Sequence, residues 1–236
     1  QARLMRKEGG GLWDGESAKI VELTLEMMRL VVESLTKGMN ALVDRDELLG
    51  EEVITGDKRV DDLEFEIEEA CIKALRRDQG EEGTRAVIGL SKIITDLERI
   101  GDYSVHVAEA AKILANKPLL KPLIDLPRMS KDVCEMISLC EEALRTRDAS
   151  RVMPIWELDA EVDALYDQVF RELLTYILET PRLITNALYL IQVARHLERA
   201  GDHATNVGER IIYIIRGEKV KRGRAWGGAA DEGDSL

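Results

Sequence analysis

The stretch LERIGD at residues 97–102 occurs twice in this chain, since it returns 100 residues later as LERAGD at residues 197–202. Each copy lies within a long run of helically spaced apolar residues. Each also places a glycine where alanine would favour a helix interior by roughly 0.5–1 kcal/mol. Two such glycines in one register indicate a site in a duplicated chain rather than a linker.

A second motif is duplicated in the same order. Asp57 and Asp61 stand four residues apart ahead of the first LERIGD copy, and Asp159 and Asp163 repeat them 102 residues later. The offsets of the two motifs, 100 and 102 residues, differ by two, so one half has a small insertion or deletion between its motifs. Pairs of carboxylates that recur in the same order predict two similar halves.

Composition favours an all-α protein. Of the 236 residues only 4% are aromatic and five are proline, which is typical of helices rather than sheets. A net charge of −12 argues against nucleic acid as a partner, because phosphate binding requires a basic surface. No long apolar run or signal segment is present, and three scattered cysteines indicate buried, reduced thiols. We expect a cytoplasmic protein.

Apolar spacing and turn residues predict six helices, three in each half, with short turns that make neighbours antiparallel. Their approximate ranges are 17–43, 47–77, 83–116, 129–146, 150–178 and 181–216. The expected organisation is a flexible N-terminal segment, a three-helix bundle, a proline-containing connector, a second three-helix bundle and a disordered tail. These units span residues 1–16, 17–117, 118–128, 129–217 and 218–236.

The paired carboxylates are candidate metal ligands. Residues four apart share a helix face, and Glu98 and Asp102 flank the apolar stripe of their helix. Gly101 lies near the centre of that stripe, so we expect a neighbouring helix to approach closely there. Carboxylates from two antiparallel helices would then converge, which costs free energy unless a cation neutralises them. Divalent or trivalent ions such as Mg, Ca, Mn or Fe suit oxygen ligands. The candidate ligands are Asp57, Asp61, Glu98, Asp102, Asp159, Asp163, Glu198 and Asp202.

Other interpretations of these acids stay open. An acid at every fourth position is often simply a solvated helix face, and we assign Glu64, Glu66, Glu68 and Glu69 to that class. Arg99 and Arg199 are expected to neutralise neighbouring acids. A redox di-iron centre is disfavoured, because it uses Glu-x-x-His pairs and the chain contains none.

The chain resembles the PhoU family of bacterial phosphate-signalling regulators over about residues 17–217. The residues that carry the resemblance are LERIGD at 97–102, RHLERAGDHATNV at 195–207 and the two aspartate pairs. The first copy departs at His106, where the family commonly has Asn.

The resemblance implies two similar antiparallel three-helix bundles related by pseudo-twofold symmetry, with multinuclear metal clusters, of iron in some members, held on the bundle surface by the duplicated carboxylates. It implies a negative regulator of the phosphate regulon, without enzymatic activity. Its expected partners are the ATPase of the phosphate ABC transporter and a sensor histidine kinase, through which it would lie peripheral to the membrane. A homodimer is also expected.

Two other functions remain open on the residues alone. One is a metalloenzyme that uses clustered metals to hydrolyse a phosphate ester. The other is a purely structural helical scaffold whose acids are surface charge.

Overall fold

The structure, a computed structural model, describes residues 16–77, 80–118 and 120–220. Within these residues there are seven α-helices and no strand, so the predicted all-α class is confirmed. Two short 3-10 helices, Ala149–Val152 and Pro181–Leu183, precede the last two α-helices. The helices are α1 (Glu16–Asp44), α2 (Glu47–Gly56), α3 (Lys58–Leu75), α4 (Gly80–Leu114), α5 (Asp125–Thr146), α6 (Ile155–Glu179) and α7 (Ile184–Arg216).

The two ends of the chain fall largely outside the described residues. The N-terminal segment predicted for residues 1–16 is described only at Glu16, and the tail predicted for residues 218–236 only at residues 218–220. The division into bundles at 17–117 and 129–217 stays a prediction. The fourth predicted helix begins at Asp125 rather than about Met129, because proline is tolerated in the first turn of a helix and Pro127 lies there.

The predicted second helix is wrong as a single element, since it is divided at Asp57 into α2 and α3. The Asp57 carbonyl accepts a short bond from the Val60 N–H at 2.7 Å in addition to the helical bond from the Asp61 N–H at 3.2 Å, so α3 begins with a tightened turn. The fifth predicted helix is also interrupted near its start. Pro154, which has no N–H to donate, separates the 3-10 turn from α6.

The helices form two layers. α4 packs against α3 on one side and α7 on the other, and α7 in turn packs against α6. α1 lies behind α4, α5 lies behind α7, and these two rear helices contact each other. α4 and α7 are antiparallel, because Gly89 meets Ile214 near one end while the Asn186 amide donates to the Pro118 carbonyl at the other. The result is two bundles that share one apolar core. The first is built from α1, α4 and the α2–α3 pair, which occupies the place of one helix, and the second from α5, α6 and α7.

Burial follows the predicted helical stripes. Leu97, Ile100 and Leu197 are completely buried, as their spacing requires. The three cysteines are free thiols, and burial raises the pKa of Cys71 to about 11 and that of Cys140 to about 12. Among the described residues, no helix is long and apolar enough to cross a membrane.

Candidate metal centres

In the first half, the acids of α3 and α4 converge as the sequence predicts. Burial raises the pKa of Asp57 to about 6, and the charges of Asp61 and Asp102 raise it further. Burial, followed by the charge of Asp102, likewise raises the pKa of Glu98 to about 6. Asp61 also acts on Glu98 from the facing helix. Carboxylates from both helices therefore share one electrostatic environment.

Gly101 allows this approach. A Cβ atom at Gly101 would lie 3.3 Å from Asp57 Oδ1 and 3.3 Å from Val60 Cγ1, which is closer than most real contacts of that kind. At the equivalent Gly201, a Cβ atom would lie 3.6 Å from Asp159 Oδ1, an ordinary contact. The expectation of close helix approach at Gly101 is confirmed, and at this motif glycine the first half is the more tightly packed.

In the second half, the matching acids lie on α6 and α7. Asp159 is only 1% exposed, whereas Asp163 and Glu198 are half-buried and Asp202 is exposed. Burial raises the pKa of Glu198, and the charges of Asp202 and Asp163 raise it further. The counterparts of the acids that converge in the first half therefore interact electrostatically in the second half as well.

Arg99 neutralises part of the first group, as predicted. Its Nη1 lies 3.2 Å from Asp102 Oδ2 and its Nε lies 3.6 Å from Glu98 Oε2. The charge of Arg199 lowers the pKa of Glu198 and so opposes burial and the neighbouring acids, which raise it. A bound cation would have to compete with these guanidinium groups.

Glu64 lies with the acidic group of the first half, and its predicted place on a solvated helix face is wrong. It is half-buried, and its pKa is raised by burial, then by Glu68 and Asp61. Its spacing of seven residues from Asp57 places both on one helix face and is the signal that could have identified it. The equivalent residue in the second half is Tyr166.

The exposed sides of α3, α4, α7 and α6 form one surface, which we call the front face. It carries Asp61, Asp102, Asp163 and Asp202, while the opposite sides of these helices pack on α1 and α5. Both acidic groups therefore face the same way, one in each half.

A polar and aromatic cluster joins the halves at the centre of the front face, and sequence analysis missed it. His203 Nδ1 donates to Asp96 Oδ1 at 2.8 Å, and Asn206 donates to the same oxygen at 3.3 Å. The ring of His196 stacks on His106 at 4.7 Å and on Tyr103 at 5.5 Å between centroids.

All three histidines of the chain meet in this cluster. The cluster residues occupy equivalent positions in the two halves, because Asp96 and Tyr103 lie 100 residues before His196 and His203. Burial, followed by the nearby His106, lowers the pKa of His196 to about 4, so that ring is neutral at pH 7. The offset was visible in the sequence, but the contact between α4 and α7 was not.

The chemistry of the acidic groups fits a hard cation. Carboxylate oxygens suit such ions, and a cation would offset both the burial that raises the pKa of Asp57 and Glu98 and the smaller effect of the neighbouring negative charges. Across residues 16–77, 80–118 and 120–220, however, no three His, Cys, Asp or Glu side chains are arranged so that they could hold a metal ion. The eight predicted ligands lie in two groups, and their ligand role stays a prediction.

Known proteins resemble the chain along most of its length. The family model described as the PhoU domain matches twice, at residues 24–111 and 126–211. A phosphate-specific transport system accessory protein PhoU homolog from Aquifex aeolicus is 43% identical over 201 residues, which cover 85% of this chain and 91% of that protein. The homolog of the same name from Deinococcus radiodurans is 41% identical over 197 residues, covering 83% and 92%.

Two solved structures have the same architecture. The crystal structure of PhoU from Pseudomonas aeruginosa has a TM-score of 0.83 at 33% identity, covering 87% of this chain and all of that one. The phosphate transport system regulatory protein PhoU from Streptococcus pneumoniae has a TM-score of 0.79 at 27% identity, covering 88% and 100%.

The two motif glycines should respond differently to alanine. Gly201→Ala should raise the free energy of unfolding by about 0.5–1 kcal/mol, because alanine favours the helix and its Cβ meets only ordinary contacts. Gly101→Ala should gain less or lose stability, because its Cβ would press on Asp57 and Val60. Urea unfolding of the two variants measures the difference, and equal gains would contradict the tight packing of α3 on α4.

The raised pKa of Asp57 predicts a pH-dependent stability difference in metal-free protein. The folded state holds the Asp57 proton up to about pH 6, whereas the ordinary value is 3.8, so the contribution of Asp57 to stability is lost as the pH rises through that range. Asp57→Asn should therefore gain stability relative to wild type as the pH rises from about 4 to about 7.

The measurement is urea unfolding of both proteins at several pH values in the presence of chelator. Only the difference between them is diagnostic, because His196, with its lowered pKa, changes stability in the opposite direction over an overlapping range. Asp62→Asn, an exposed acid of the same helix, is the control. A difference that does not vary with pH would refute the raised pKa of Asp57.

Proposed function

This chain belongs to the PhoU family, and on that premise we propose that it is a negative regulator of phosphate uptake and of phosphate-regulon signalling. It would act as a non-enzymatic adaptor in the cytoplasm. Its two partners would be the ATPase of the phosphate ABC transporter, which holds the adaptor at the membrane, and a sensor histidine kinase kept inactive when phosphate is sufficient.

The observation that carries this proposal is the match of both halves to the PhoU domain. Relatives that cover most of the chain are named accessory proteins of the phosphate-specific transport system, and a structural neighbour is named a regulatory protein of phosphate transport. Those names favour an accessory role beside a transporter over a catalytic one. We also expect a homodimer.

In this proposal the acidic groups hold metal, with iron clusters expected from the family resemblance. Asp57, Asp61, Glu98 and Asp102 would bind one group of ions, and their counterparts on α6 and α7 another. The support is electrostatic, because carboxylates that raise one another's pKa are stabilised when a cation joins them. Both groups lie on the front face, so bound ions would form part of any surface that a partner contacts there.

Metal content tests the ligand assignment. The protein, purified without chelator or affinity nickel, should contain more than one iron or other divalent ion per chain by elemental mass spectrometry. Alanine at Glu98, Asp102, Glu198 and Asp202 should remove most of it, because these residues supply one carboxylate pair to each group.

The matched control replaces four exposed acids outside the two groups with alanine, and thereby makes the same change in net charge. These acids are Glu22, Glu82, Glu135 and Glu157. The control should retain its metal. Equal metal content in both variants, or none in the wild type after anaerobic loading with Fe²⁺ or Mn²⁺, would contradict the ligand assignment.

Repression of the phosphate regulon tests the regulator. In bacteria that lack their own copy, the wild-type chain should silence a phosphate-regulon reporter in phosphate-rich medium. The four-alanine variant should leave the reporter active, while the control variant should repress it. Repression by the four-alanine variant would show that the acids are not needed for signalling, and steady turnover of a phosphomonoester that the variant loses would point to an enzyme instead.

A further inference from the structure

Two buried polar groups of the second half lie beside its acidic group and have no hydrogen-bond partner among the described residues. They are the hydroxyl of Thr205, a residue that is only 6% exposed, and the indole N–H of Trp156. Other helical threonines, such as Thr24 and Thr36, donate to the carbonyl four residues earlier. Burying a polar group without a partner costs free energy, so the two groups indicate that a ligand binds between them.

Helix geometry places both groups at the same height in the seam between α6 and α7. Ile155 of α6 packs so closely against Gly208 of α7 that a Cβ atom there would collide with Ile155 Cδ1. Trp156 follows Ile155 on α6, and Thr205 precedes Gly208 on α7 by three residues. In two antiparallel helices in contact, these two side chains therefore stand opposite each other.

The second acidic group lies on the same side of this seam. Trp156 precedes Asp159 by three residues, and Thr205 follows Asp202 by three. Residues three apart are neighbours on a helix surface. Each unpaired group thus lies within one turn of a carboxylate on its own helix.

The first half lacks both polar groups, although it has the same helices. Ile54 and Val105 stand at the positions that match Trp156 and Thr205. Neither of these aliphatic side chains can form a hydrogen bond. The pair of unpaired groups is therefore a property of the second half and not a requirement of the fold.

The second acidic group is also less negative than the first. Tyr166 stands in place of Glu64, and Arg195 stands where the first half has Thr95. The charge of Arg195 acts on Glu198. The second group therefore has one carboxylate fewer and one guanidinium more, which lowers the electrostatic cost of binding an anion there.

We propose that the seam beside the second acidic group binds a small tetrahedral oxyanion of the phosphate class, together with a cation held by the carboxylates. The proposal rests on the metal sites proposed above and assigns a second ligand to one of them. An indole N–H can only donate, and the Thr205 hydroxyl can donate as well, so a ligand with several acceptor oxygens satisfies both groups. Its other oxygens can bind the cation and a guanidinium. Because both donors are buried, a free ion fits better than a phosphate group on a larger molecule.

Binding of inorganic phosphate to the full chain tests the proposal, with equilibrium dialysis of radiolabelled phosphate as the measurement. Protein loaded with Mn²⁺ and then freed of excess metal should bind phosphate, and chelator-treated protein should bind far less. Thr205→Val and Trp156→Phe should each weaken binding by about 10-fold or more, because each removes one donor to a charged ligand. Both variants should retain the metal content of wild type, because neither changes a carboxylate.

Thr24→Val is the matched control, because Thr24 is fully buried and its hydroxyl already donates to the Ile20 carbonyl at 2.8 Å. This variant should bind phosphate as wild type does. Thermal unfolding in chelator checks that the variants fold. Thr205→Val should be at least as stable as wild type, because the hydroxyl that it removes has no partner in the ligand-free protein. A clear loss of stability would show that the hydroxyl is already satisfied, and would overturn the proposal.

The outcomes separate this proposal from the others. A wild-type chain that holds no metal would overturn the metal sites and the oxyanion site together. A chain that holds metal but no phosphate, or whose phosphate binding survives both Thr205→Val and Trp156→Phe, would overturn the oxyanion site alone. Repression of the reporter is measured without reference to phosphate binding by the purified protein, so the regulator proposal is judged separately.

Discussion

The partial burial of carboxylates that the fold holds close together, with the repulsion between them, is the constraint on which the rest of the structure depends. The packing of α3 on α4 leaves little room for a side chain at Gly101, and it brings Asp57 to the acids of α4. The free energy lost to this repulsion must be supplied by the apolar core behind it, in which Leu97 and Ile100 are fully buried. Any cation that binds the acids would return part of that free energy.

The two halves are also bound to each other by specific contacts. The pair formed by His203 and Asp96 and the stack of His196 on Tyr103 and His106 lie where α4 crosses the middle of α7. Tyr103 and His203 each follow the last aspartate of a motif, so the contact between the halves begins one residue from each acidic group. The relative position of the two groups is therefore fixed by the same residues that join the bundles.

Much of the fold could be predicted from the sequence, because helical spacing reports burial directly. The two acidic groups and the close approach at Gly101 followed from helix geometry and short turns. The division at Asp57 did not, because the apolar spacing of Val53 and Val60 continues across it, although Gly56 beside it has a low helix propensity. The assignment of Glu64 to solvent failed because the position of α4 makes that side of α3 half-buried, although the seven-residue spacing of Glu64 from Asp57 was visible in the sequence. The cluster of three histidines required knowledge of which helices of the two halves meet.

The length of α4 has a mechanical consequence. A helix of 35 residues is about 50 Å long, and this one runs without interruption from the tip of its hairpin, past an acidic group, to the connector between the halves. Because α4 contacts α7 near both of its ends and packs on α1 behind it, it is a stiff beam held along its length rather than a hinge. The spacing between the two acidic groups is thereby fixed, so any partner that contacts both groups must match that spacing.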